Sequence, residues 1–183
     1  MLAPLGCKSK DQKAASDRAK KAIDKAAAGD KAAPPTFEIT AKQVFTTELL
    51  APNKTYADNN LGLKAEAGST FACVEIAIKN AGTKPATGGT PKLVDASGAK
   101  HELSSDAAGK MPTEWKSVIN SAPIEPGSAN EGFVCYSLPA PAATGALKLV
   151  FDETGWGDQG AWQKTVDLPA ATPLAAATGS AAK

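Results

Sequence analysis

Phe37-Glu38-Ile39-Thr40-Ala41 alternates apolar and polar side chains with a period of two, the mark of a strand with one face in a core and the other in water. A longer run follows Gly68. Between Phe71 and Asn80 the inward set is Ala72, Val74, Ile76 and Ile78, which leaves Cys73, Glu75 and Lys79 on the opposite face until Asn80-Ala81-Gly82 ends the pattern. Lys92-Leu93-Val94-Asp95 and Lys100-His101-Glu102-Leu103 flank the turn-rich Ala96-Ser97-Gly98-Ala99, which predicts a hairpin. Gly132 to Pro139 predicts another strand with Val134, Tyr136 and Leu138 inward. Leu147, Leu149 and Phe151 alternate in the next, and Trp162, Lys164, Val166 and Leu168 share a face in the last. Six or seven short strands separated by turn signals, with no amphipathic helical period among them, predict an all-β sandwich.

The large apolar residues concentrate between Phe37 and Leu168, a stretch of ordinary length for one domain. The chain therefore divides into a signal-like segment 1–7, a Lys- and Ala-rich tether 8–35, a β-sandwich domain 36–169 and an Ala-rich tail 170–183 expected to be disordered. Only Ile23 in the tether offers an apolar anchor, so a helix there has little to bury, and Ala33-Pro34-Pro35 stops it. Over all 183 residues, 20 Lys and Arg meet 19 Asp and Glu for a net +1, too weak a field to gather nucleic acid. No apolar run approaches the length of a spanning helix.

Leu5-Gly6-Cys7 ahead of a polar, Lys-rich stretch resembles the end of a bacterial lipoprotein signal, in which the cysteine after small residues is lipidated. That resemblance implies lipidation at Cys7 with residues 1–6 removed. The apolar stretch before Gly6 is shorter than a signal requires, which places the upstream half of the signal ahead of Met1; the alternative is an unmodified cysteine in a solvated tail.

The domain carries a second resemblance. Gly68-Ser69-Thr70-Phe71, then Ile78-Lys79-Asn80, the hairpin Leu93 to Gly98, Ile124-Glu125-Pro126-Gly127 and the strand Gly132 to Pro139 follow one another as in a known family. This order resembles the immunoglobulin-like domain of unknown function found on bacterial lipoproteins and exported proteins, related to the mycobacterial immunoprotective extracellular protein. Over residues 36–168 the resemblance implies an immunoglobulin-like antiparallel β-sandwich of six to eight strands and an extracytoplasmic address, lipid-anchored to the bacterial cell envelope. It carries no catalytic residue over. With Cys7 assigned to lipid, Cys73 and Cys135 remain, both on the face opposite their strand's core set. In such sandwiches their two strands commonly lie side by side and antiparallel, which implies a Cys73–Cys135 disulfide on the outer face of one sheet. The alternative is two free thiols in a reducing compartment.

Candidate chemistry is sparse. His101 is the single histidine of the chain, and neither it nor the nearby Ser104-Ser105-Asp106 builds a nucleophilic triad or a metal site, so no catalytic residue, metal ligand or cofactor is expected. Asp152 to Gly160 places three carboxylates in a glycine-rich connection whose spacing matches no EF-hand loop and lacks its terminal Glu. Trp115, in the long connection 104–128, and Trp156, between two glycines, are candidate contacts for a sugar or a protein partner. Trp162 belongs to the core by phase. The expectation is a non-enzymatic cell-envelope lipoprotein that presents an immunoglobulin-like interaction or ligand-binding domain, held to the membrane through Cys7 and meeting an envelope protein or glycan of unknown identity. The alternative is a secreted module that binds carbohydrate or calcium through the Trp115 and Trp156 loops.

Overall fold

The computed structural model describes residues 34–119, 122–153 and 160–174, and in it each alternating segment becomes a strand. In chain order the elements are β1 (Phe37–Thr47), β2 (Leu49–Leu50), α1 (Lys54–Asp58), β3 (Leu63–Lys64), β4 (Ser69–Asn80), β5 (Lys92–Val94), β6 (Lys100–His101), α2 (Ser105–Ala108), β7 (Ala129–Pro139), a 3₁₀ turn Ala142–Thr144, β8 (Lys148–Glu153), β9 (Trp162–Asp167) and β10 (Ala171–Pro173). One four-stranded sheet has the order β10-β1-β4-β7 and the other β6-β5-β8-β9. β2 and β3 form a separate two-stranded ribbon that carries α1 at its tip.

The two sheets face each other across the inward sets read from the sequence. Val74, Ile76, Ile78, Val134, Tyr136 and Leu138 of the first sheet meet Leu93, Leu147, Leu149, Phe151 and Trp162 of the second. A fully buried Val, Leu or Ile contributes roughly 1.5–3 kcal/mol, so this interface is the main source of stability. The protein is an all-β sandwich. Trp162 lies in this core, against Phe37 at 4.9 Å and Phe151 at 5.4 Å between ring centroids.

β1 serves two cores because it contains a bulge. Ala41 pairs with Ile76 and Gln43 with Glu75, so Lys42 is the extra residue. Before it, Phe37, Ile39 and Ala41 face the sandwich core; after it the parity changes, so that Val44 faces in and Phe45 faces out.

Two expectations need correction. The tail begins later than residue 170, because Ala171–Pro173 pair in parallel with Val44, Phe45 and Thr46, and the Leu174 N–H donates to the Thr46 carbonyl at 2.7 Å. Main-chain pairing holds this strand, and Ala-Thr-Pro has no apolar alternation to announce it. The same pair makes the first sheet mixed, where a wholly antiparallel sandwich was expected.

The edge of β7 is covered by the connection that follows β6. Ser104 N–H donates to the Cys135 carbonyl, Phe133 N–H to Lys116 and Val118 N–H to Phe133. Gly132 permits that approach, since a Cβ there would stand 2.2 Å from the Lys116 carbonyl oxygen. We expect Gly132→Ala to lower stability by roughly 2 kcal/mol or more, read from the urea midpoint, because the clash is with main chain that must move.

Candidate functional site

The outer face of the first sheet, expected to meet water, is a second core. Phe45, Phe71, Cys73, Phe133 and Cys135 project from β1, β4 and β7, and Leu50, Ala107 and Met111 close over them. Cys73 stands directly opposite Cys135 in the β4–β7 register, and the two are joined as a disulfide with Cα atoms 4.1 Å apart. The Cys135 carbonyl points away from β4 to accept from Ser104, so the two cysteines form the close, non-hydrogen-bonded kind of antiparallel pair. Both are buried, at 0% and 2% exposure. The continuous buried run from Thr70 to Val74 has the same origin, since both faces of β4 are covered there.

Trp115 sits on this second core. Its ring lies nearly parallel to Phe133 at 4.2 Å and to Phe45 at 5.5 Å, and it is half-buried. Its segment is tied to the ribbon by Thr113, whose N–H and hydroxyl both donate to the Pro52 carbonyl. Sequence reasoning missed this layer. Phe45, Phe71 and Phe133 share their outward faces with Gln43, Glu75 and Glu131, so the set reads as a solvated surface. Cys7 and Trp156 lie outside the described residues, so nothing here brings Trp156 to Trp115.

The ribbon gathers the exposed apolar side chains at one end of the sandwich. Tyr56 is 43% and Leu61 61% exposed, and the Leu61 N–H donates to the Tyr56 carbonyl at 2.9 Å. Asn53 caps α1 by accepting from the Tyr56 N–H. Two adjoining clefts of about 350 and 420 Å³ open at this end and share Thr46, Ala143, Thr144 and Pro173. Their Thr47, Thr70 and Thr144 hydroxyls donate to main-chain carbonyls of Leu49, Thr47 and Pro141. β1 starts at the opposite end, where Thr36 accepts from the Ala81 N–H.

The His101 side chain is only 13% exposed, and Nε2 lies 2.9 Å from Asp95 Oδ2. Asp95 clamps the β5–β6 turn: its Oδ1 accepts from the Ser97 hydroxyl and from the Ser97 and Ala99 N–H groups. Ser97 donates to the carboxylate and not to the imidazole, so the cluster is a turn clamp with no activated nucleophile. Ser104 is likewise occupied, capping α2 at the Ala107 N–H. The Ser97 hydroxyl first, then His101 and the two N–H groups, hold the Asp95 carboxyl far below the usual carboxylate range. The unfolded chain therefore takes up this proton before the folded one. The clamp's contribution is complete above about pH 4 and is lost as pH falls through the folded value. Urea midpoints measured from pH 7 to pH 2 should fall less steeply on the acid side for Asp95→Asn than for the parent.

Glu153 ends β8 by accepting from the Thr90 N–H at 2.7 Å, while residues 154–159 of the acidic connection lie outside the described residues. No group of three His, Cys, Asp or Glu side chains placed to hold a metal occurs among the described residues. Charges on the solvent faces pair across strands, Glu38 with Lys79, Lys42 with Glu131, Lys92 with Glu102 and Lys148 with Asp167. Exposed pairs of this kind contribute little to stability.

These features define a β-sandwich domain with a disulfide buried under one sheet. No family model matches the chain, and no curated protein matches it. Among solved structures it is similar to a conserved hypothetical protein from Bacillus anthracis, with TM-score 0.50 and 22% identity over 64% of this chain and 83% of that one, which shows a shared fold. It also aligns with a candidate lipoprotein from Bacillus subtilis, at TM-score 0.46 and 14% identity over 73% of this chain and 37% of that one. An uncharacterised β-sandwich protein from Clostridium difficile aligns at TM-score 0.38 and 16% identity, over 75% of this chain and 87% of that one.

Proposed function

We propose that the chain is a non-enzymatic lipoprotein of the bacterial cell envelope, anchored at Cys7, whose immunoglobulin-like domain binds a protein or glycan through the end that carries the β2–α1–β3 ribbon. The buried disulfide is the observation that carries this reading. A cross-strand bond between Cys73 and Cys135 inside a packed layer belongs to a protein folded where thiols are oxidised. The surface of the described domain supports the rest. The ribbon end carries the exposed Tyr56 and Leu61 beside the two clefts, which supports it as the binding surface. Binding would then reside in loops and the ribbon while the sandwich holds them in place.

Intact mass spectrometry without reduction, on protein from the envelope and the culture fluid of its native cell, tests the address. The expected result is a diacyl or triacyl mass on a chain that starts at Cys7, together with a Cys73–Cys135 cross-linked peptide. An unmodified Met1 terminus with both thiols free would overturn both the anchor and the compartment.

A further inference from the structure

We propose that residues 104–117 form a lid over the Cys73–Cys135 disulfide, and that lifting this lid, without unfolding the sandwich, is the route by which a thiol reaches the bond. The segment is hinged at residues held elsewhere. Val118 is buried in the sandwich core and Leu103 packs against it, while between them Ala107, Met111 and Trp115 lie on the second core and no residue belongs to the first. Lifting it therefore withdraws nothing from between the sheets.

The lid is attached by a short set of contacts. Its ends are stitched to the β7 edge by Ser104 to Cys135, Phe133 to Lys116 and Val118 to Phe133, and its middle by the two Thr113 bonds to Pro52. Trp115 on Phe133 and Phe45, with Met111 and Ala107, supplies the apolar seal. Beneath it, β4 stays paired along its length to β1 and β7 and remains pinned by the sandwich core. Segments with few contacts open locally at a lower free energy than the whole fold. With both cysteines buried, attack requires such an opening.

The reaction is thiol–disulfide exchange. A dithiothreitol thiolate attacks one cysteine sulfur, the S–S bond breaks and the other cysteine leaves as thiolate. The reagent's second thiolate then displaces the first cysteine. Dithiothreitol is oxidised to its cyclic disulfide, two electrons pass to the protein, and both cysteine thiolates take protons from water. A thiol–disulfide oxidoreductase of the envelope would face the same gate.

The test uses the full chain with Cys7 blocked by N-ethylmaleimide. Native protein is exposed to dithiothreitol, quenched with iodoacetamide, and the new thiols are counted by mass over a series of low urea concentrations. The expected result is slow reduction with a shallow urea dependence, because lid opening exposes little surface. Trp115→Ala should raise the rate about tenfold or more and Trp115→Phe should stay near the parent. Amide hydrogen exchange on the parent gives a second reading that needs no variant: Ser104, Thr113 and Phe133 should exchange by the shallow route, ahead of the amides of β4. A reduction rate that follows global unfolding with its full urea slope overturns the proposal, as does a parent reduced as fast as Trp115→Ala.

Discussion

Replacing both Cys73 and Cys135 with alanine is expected to lower the unfolding free energy by about 4 kcal/mol. The cysteines are 62 residues apart in sequence, and a cross-link of that span removes loop-closure entropy of this size from the unfolded chain. Domains of this length are stable by roughly 5–15 kcal/mol, so the change is a large part of the total. Urea titration should show a much lower midpoint for the double variant, and the oxidised parent should fall to about the same midpoint once reduced. A double variant as stable as the oxidised parent would show that the packed aromatic layer, and not the covalent bond, holds β4 to β7.

The second large effect is expected at Asn80. This side chain is fully buried at the end of β4, where Nδ2 donates to the carbonyls of Lys84 and Ile124 at 2.8 and 2.7 Å and Oδ1 accepts from the Gly82 N–H. It fastens the loop after β4 to the segment before β7, beside the two bonds that Ala86 and Ile124 exchange. Asn80→Asp keeps the size and the Gly82 acceptor but turns a carboxylate oxygen toward two carbonyls, a buried charge with no donor on that side. Roughly 3–5 kcal/mol should be lost at pH 7. The aspartate would have its pKa raised in the fold, so part of the loss should return on acidification, when the protonated group donates again. Urea midpoints for Asn80→Asp and Asn80→Ala at pH 7 and pH 4 test this, because only the aspartate variant should recover relative to the parent.

The sandwich core was legible because its strands obey a simple period. Ala72 to Ile78, Val134 to Leu138 and Leu147 to Phe151 alternate without interruption, and all face the other sheet. The phase of Cys73 and Cys135 could be read for the same reason, whereas their burial could not, since it depends on Trp115 and Met111 arriving from a connection with no period of its own. β10 and the ribbon were invisible because main-chain pairing and a few contacts hold them. The turn clamp was half legible: Asp95 before Ser97-Gly98 reads as a turn, but only the fold brings His101 back onto the carboxylate.

The bulge at Lys42 tolerates two kinds of mutation, exchange and deletion. The side chain is 38% exposed and reaches outward to Glu131 and Glu75, so many residues can stand there. The register also allows the residue itself to be lost. Without Lys42, Ala41 and Gln43 would be consecutive opposite the consecutive Ile76 and Glu75, an even ladder that keeps Val44 between the sheets and Phe45 against the disulfide layer; only an even ladder running through Lys42 would reverse everything after it. Exchange of Lys42 and removal of Lys42 should therefore both leave Val44 and Phe45 on their present faces, with urea midpoints near that of the parent.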